Sequence, residues 1–127
     1  MKRAVLLVAA LVLVGALIAG PGTSSNEVGR QLQGTVGPGF TISLTEDGAP
    51  VTSLRPGTYW LTVDDLSNRH NFHIFGPDLD ETVTTVPFTG TVTVKIHLSH
   101  GEFRFQCDPH QATMHGSFDV GGVGQVE

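Results

Sequence analysis

Beyond residue 30 the chain alternates apolar and polar residues with a period of two, the repeat of a half-buried strand. In 58–63, Tyr59, Leu61 and Val63 fall on one face and Trp60 and Thr62 on the other. In 91–98 the alternation is clearest: Val92, Val94, Ile96 and Leu98 face inward, and Thr91, Thr93, Lys95 and His97 face outward. Shorter strands are predicted over 31–36, 40–45, 71–75, 103–107 and 117–120. Turns separate them at Gly37-Pro38-Gly39, Glu46-Asp47-Gly48-Ala49-Pro50, Leu54-Arg55-Pro56-Gly57, Gly76-Pro77 and Ser99-His100-Gly101-Glu102. No segment past the N-terminus sustains a helical period. The expected fold is therefore all-β, a single-domain Greek-key β-sandwich.

The N-terminus reads differently. Lys2 and Arg3 precede an apolar run over 4–19 interrupted only by Gly15, and Gly20-Pro21-Gly22 ends it. This is the pattern of an export signal or of an N-terminal membrane anchor. The expected organisation is a signal peptide or anchor at 1–22, a linker at 23–30, the folded domain at 31–120 and a flexible Gly-rich tail at 121–127. The folded part is expected outside the cytoplasm, whether periplasmic, extracellular or at the cell surface. Membrane contact is expected only through that first segment, where it stays uncleaved.

Charge narrows the partners. Without Lys2 and Arg3, 5 basic residues face 12 acidic ones, a net charge of about −7. Such a chain lacks the basic face that nucleic-acid binding requires. Asp78, Asp80 and Glu81, like Asp64-Asp65, read as solvated loops, with a docking patch for a basic partner as the lesser reading.

The chemistry concentrates around one residue. Cys107 is the single cysteine, so an intramolecular disulfide is excluded, and a lone thiol in an oxidising compartment needs an occupant. It opens the run Cys107-Asp108-Pro109-His110-Gln111-Ala112-Thr113-Met114, while His70-Asn71-Phe72-His73 supplies imidazoles upstream. Two imidazoles, a thiolate and a weak thioether are the donor set that suits copper in electron-transfer sites. Cys107 shares strand parity with Phe103 and Phe105, so the core anchors it. Pro109 fixes its own φ and keeps Asp108 extended, which lets His110 curl back toward the thiol. His70 has the parity of Phe72 and Ile74, whereas His73 points the other way. His73, His97, His100 and His115 are expected at the surface.

These two motifs, with Met114-His115-Gly116-Ser117-Phe118-Asp119-Val120 completing the second, resemble the cupredoxins, in particular the plastocyanin-, pseudoazurin- and amicyanin-like small blue copper proteins. The resemblance runs from about Gln31 to Val120. It implies a cupredoxin-like sandwich with one copper ion held by His70, Cys107, His110 and Met114, and an Asn71 that ties the two ligand loops together. The stretch between His110 and Met114 is intermediate in length between amicyanin-like and plastocyanin-like loops. Gln106 stands where plant plastocyanins often carry tyrosine, so the same docking route is not implied.

The expected function is a mononuclear type 1 copper protein, monomeric, that shuttles single electrons between larger redox proteins and is not an enzyme. A copper carrier that delivers or sequesters the ion is the alternative, and a metal-free binding module on the same scaffold is a third reading. A dinuclear copper centre needs a second cysteine, and a nitrite reductase or multicopper oxidase needs further domains and histidine clusters.

Overall fold

The computed structural model describes residues 29–121. The expected segment at 1–22, most of the linker and all of the expected 121–127 tail except Gly121 lie outside the described residues.

Among the described residues, ten strands form two five-stranded sheets. They are β1 (Arg30–Val36), β2 (Ile42–Glu46), β3 (Ala49–Pro50), β4 (Ser53–Leu54), β5 (Gly57–Asp65), β6 (Phe72–Gly76), β7 (Leu79–Thr84), β8 (Gly90–Leu98), β9 (Gly101–Gln106) and β10 (His115–Val120). One sheet has the order β3-β2-β1-β5-β8 and the other β4-β10-β9-β6-β7. Most neighbours are antiparallel, and the β1–β5 and β4–β10 pairs are parallel. The sheets face each other across one core. Leu32, Tyr59, Leu61, Val63, Ile96 and Leu98 come from the first sheet, and Phe72, Ile74, Phe103, Phe105, Phe118 and Val120 from the second. Each such side chain contributes about 1.5–3 kcal/mol when fully buried.

The alternation read from the sequence is visible in β5, where Tyr59, Leu61 and Val63 are buried and Trp60 and Thr62 are not. In β8 the inward parity also holds, although Val92 and Val94 are only partly covered. The β2–β3 hairpin turns on Asp47-Gly48, both with positive φ, at 52° and 85°. That conformation is what a tight Asp-Gly hairpin turn requires.

Two acidic segments depart from the loop reading. Asp80 and Glu81 belong to β7, an edge strand paired antiparallel with β6. Its polar composition hides it from a periodicity reading, because an edge strand needs only its pairing and one covered flank. Asp65 ends β5 and is 1% exposed, with its Oδ1 accepting a hydrogen bond from the Ser67 backbone N–H at 3.2 Å.

The β6–β7 ladder slips between Phe72 and His73. Phe72 is opposite Thr84 and His73 is opposite Thr82, so Val83 is the extra residue of a bulge. Consecutive Val83 and Thr84 are accordingly both buried. Bulges re-aim nearby side chains, and this one lies beside the ligand candidates.

Candidate metal centre

The site is built at one end of the sandwich from two segments. The first follows β5. Leu66 N–H donates to Val36 carbonyl at 2.9 Å, Arg69 N–H donates to Ser67 Oγ at 3.1 Å, and His70 N–H donates to Ser67 carbonyl at 3.4 Å. These local bonds, with that from Ser67 to Asp65, turn the chain so that His70 enters the interior just before β6. Gly37 packs beneath it. Its φ of 76° favours glycine, and a Cβ there would press on Ser67 and the His70 ring.

The second segment links β9 to β10. Cys107 leaves β9 buried, in line with Phe103 and Phe105. A 3-10 turn over Asp108–His110 follows, with Pro109 inside it. The loop is fastened from within: Cys107 N–H donates to Met114 carbonyl at 3.0 Å, His110 N–H to Cys107 carbonyl at 3.0 Å, and Met114 N–H to His110 carbonyl at 2.8 Å. Met114 is fully buried, and His115 Nδ1 bonds the Gln111 carbonyl at 2.7 Å. The spacing between His110 and Met114 is therefore one tight turn that carries both residues inward.

The side chains converge. Cys107 Sγ lies 3.7 Å from His70 Nδ1 and 3.5 Å from His110 Nδ1, and the two ring nitrogens are 3.2 Å apart. An ion bonded trigonally at about 2.0 Å to imidazole nitrogen and about 2.3 Å to thiolate separates its donors by about 3.5–3.8 Å. The triangle has nearly that size. His70 and Cys107 are buried and His110 is half-buried. Two imidazole nitrogens and a thiol aimed at one point, with Met114 in the same loop, form a donor set that suits copper. His70, Cys107 and His110 are the one such group of three among the described residues.

Aromatic and polar contacts surround this triangle. The Phe40 ring, 66% exposed, meets both histidines edge-on, at 5.4 Å from His70 and 5.0 Å from His110. Asn71 Nδ2 donates to Asp108 Oδ2 at 3.0 Å, and Asp108 N–H donates to Asn71 Oδ1 at 2.7 Å. The asparagine beside His70 thus grips the residue beside Cys107. Gln106 Nε2 donates to Asp108 Oδ1 at 2.9 Å, and Gln106 Oε1 accepts from Arg104 Nε at 3.2 Å.

His97, His100 and His115 are exposed. His73 is not the free surface residue that its parity predicts. It points away from the core, as expected, yet its Nδ1 lies 2.9 Å from Asp108 Oδ1 and its Nε2 2.6 Å from Asp80 Oδ1. Burial pulls its pKa down, but hydrogen bonds and charge from Asp108 and Asp80 outweigh that and hold it above the ordinary histidine value. Asp108 is pushed up by burial and pulled down further by its bonds to Gln106, His73 and Asn71, so it stays below the usual carboxylate value. Nothing in the local sequence identifies Asp108 or Asp80 as partners of His73, since 35 and 7 residues separate the pairs.

Solved structures share this architecture. A rusticyanin variant is 24% identical, over 71% of this chain and 75% of that one, with a TM-score of 0.51. Reduced rusticyanin is 23% identical, over 71% and 77%, with a TM-score of 0.51. Rusticyanin from Thiobacillus ferrooxidans is 23% identical, over 71% and 75%, with a TM-score of 0.50. No family model and no curated protein matches the chain. The likeness shows the fold that this chain adopts, the cupredoxin β-sandwich.

Proposed function

We propose that this cupredoxin-fold chain is a mononuclear type 1 copper protein that carries single electrons between redox proteins outside the cytoplasm. The observation that carries the reading is the triangle of Cys107 Sγ, His70 Nδ1 and His110 Nδ1, with sides of 3.2, 3.5 and 3.7 Å. One similar solved structure is described as that of the copper protein rusticyanin, which supports the choice of metal.

Copper bound there would supply one-electron exchange between its two oxidation states. Rapid exchange requires donors that stay put when the charge changes, and the chain's own residues meet that need. Cys107 is fixed by the β9 core and by its backbone bond to Met114. His70 is held by the turn that follows Asp65, and Asn71 ties that turn to Asp108. His110 is the least buried of the three, so its ring edge is where a partner protein would approach. Burial of Cys107 and Met114 keeps water from the sulfurs, and a dry surrounding tunes the potential of a metal site.

Copper delivery is the competing use of the same donors. Burial of His70, Cys107 and Met114 and the Phe40 ring across both imidazoles favour retention of the ion. Adding cupric ion to the metal-free protein tests the proposal. One equivalent should produce intense thiolate-to-copper absorption in the visible, lost in Cys107→Ser, and the loaded protein should exchange electrons with a soluble redox protein without losing metal. Absence of the visible band in the wild type would overturn the copper reading.

A further inference from the structure

We infer that His73 is a positioning residue for the metal loop, fastening the Cys107–Met114 segment to strands β6 and β7 through Asp108 and Asp80. The inference rests on the copper reading for its functional meaning, but the fastening itself exists in the polypeptide alone.

Both nitrogens of the His73 ring are engaged by carboxylates. Asp108 Oδ1 lies 2.9 Å from Nδ1 and Asp80 Oδ1 lies 2.6 Å from Nε2. Ionised carboxylates only accept hydrogen bonds. Between two ionised carboxylates both ring nitrogens would carry protons, making His73 an imidazolium that bridges two anions. Charge-assisted bonds of this kind are about twice as strong as neutral ones. The His73 side chain is 20% exposed, against 44% for Asp108 and 80% for Asp80, so solvent screens the bond to Asp108 less than the bond to Asp80.

The ring joins three elements. His73 sits on β6, opposite Gln106 of β9, and immediately after the bulge that shifts the β6–β7 register. Asp80 is on β7, and Asp108 is the first residue past Cys107. Asp108 is thus held at one oxygen by His73 and Gln106 and at the other by Asn71. Asn71 alone could restrain the loop toward His70. His73 adds a second restraint from the outer face of the sheet, and the two together resist rotation of the loop about either one. The imidazolium also offsets the Asp108 charge that stands one residue from the ligand thiol. Its loss would leave that carboxylate uncompensated beside the copper centre, which favours the oxidised ion and lowers the reduction potential.

The test uses the full chain, first metal-free and then with cupric ion. In the wild type at pH 6, nitrogen NMR of His73 should show both ring nitrogens protonated. His73→Ala should speed hydrogen exchange at the Asp108, His110 and Met114 amides at least tenfold while leaving Leu61 and Val63 of the first sheet unchanged. His73→Arg, which restores a cation with several donors, should recover most of that protection. With cupric ion, His73→Ala should shift the visible band and lower the potential, and His73→Arg should reverse both. A neutral ring in the wild type, loop exchange within twofold of wild type, or equal behaviour of the Ala and Arg variants would overturn the inference. If His73→Ala does not fold, Asp80→Asn decides, because that side chain is 80% exposed and its change leaves the core alone. It should accelerate the same amides by a smaller factor, and unchanged exchange there would equally overturn the inference. Failure of the wild type to develop the visible band would remove the copper reading, while the exchange data would still decide the fastening.

Discussion

Asn71 and Asp108 hold each other by two hydrogen bonds running in opposite directions, 2.7 Å from the Asp108 amide to Asn71 Oδ1 and 3.0 Å from Asn71 Nδ2 to Asp108 Oδ2. They flank His70 and Cys107, which are 37 residues apart in the chain and 3.7 Å apart at their donor atoms. The pair joins the two donor-bearing segments directly, which the bonds inside either segment do not.

Asn71→Ala removes both bonds and leaves the Asp108 amide without its partner. The expected loss is about 1–3 kcal/mol of stability in the metal-free protein, measured by denaturant unfolding. Asn71→Asp keeps the acceptor but sets two carboxylates against each other. It should destabilise at pH 7 and recover as acid protonates one of them. A wild-type midpoint for both variants would show that the pair is idle.

Gly116 lies opposite Phe105 in the β9–β10 ladder, and a Cβ at 116 would run into the Phe105 ring. That ring stacks on Phe72 with centroids 5.8 Å apart. Gly116→Ala should therefore cost about 1–3 kcal/mol through overpacking. Gly39→Ala, where a Cβ would meet nothing within 4 Å, should stay within about 0.5 kcal/mol of wild type. Thermal unfolding of the two variants side by side is the check.

The His73–Asp108 pair makes stability depend on pH in both directions. His73 has a folded pKa above its ordinary 6.5, so its contribution is complete below 6.5 and fades as pH rises through the folded value. Asp108 has a folded pKa below its ordinary 3.8, so its contribution is complete above 3.8 and fades as pH falls through the folded value. The stability difference between wild type and His73→Gln, both metal-free, should be largest between pH 3.8 and 6.5 and shrink on either side. A difference that grew from pH 6 to pH 9 would contradict the assignment.

Phe40 shields both imidazoles although most of its own ring is in water. Its edge-on contacts predict a loss of about 0.5–1.5 kcal/mol in Phe40→Ala. Copper should also leave the loaded variant faster when a chelator is added, followed by decay of the visible band. Equal decay rates would show that the ring does not guard the centre.

The strands and the donor set were legible in the residues because each rests on a local rule. A period of two places Tyr59, Leu61 and Val63 on one face whatever they pack against, and the same parity carries Cys107 inward with Phe103 and Phe105. It also separated His70, which shares the face of Phe72 and Ile74, from His73. Strand β7 escaped because Asp80 and Glu81 have no apolar rhythm of their own. It is a strand through its ladder to β6, and the bulge at Val83 depends on that partner. Asp65 was misread for a similar reason, since an acidic pair looks solvated until the end of β5 is packed.

The sequence by itself determined which side chains were available to a soft metal and which face of each strand would be covered, because composition and parity belong to the chain. Only the tertiary structure decided that His70 and His110 approach within 3.2 Å, and that His73 is shared between Asp108 and Asp80. Those distances arise where two sheets and three chain-distant segments meet, and hydrogen bonds of about 3 Å have no trace in a one-dimensional pattern.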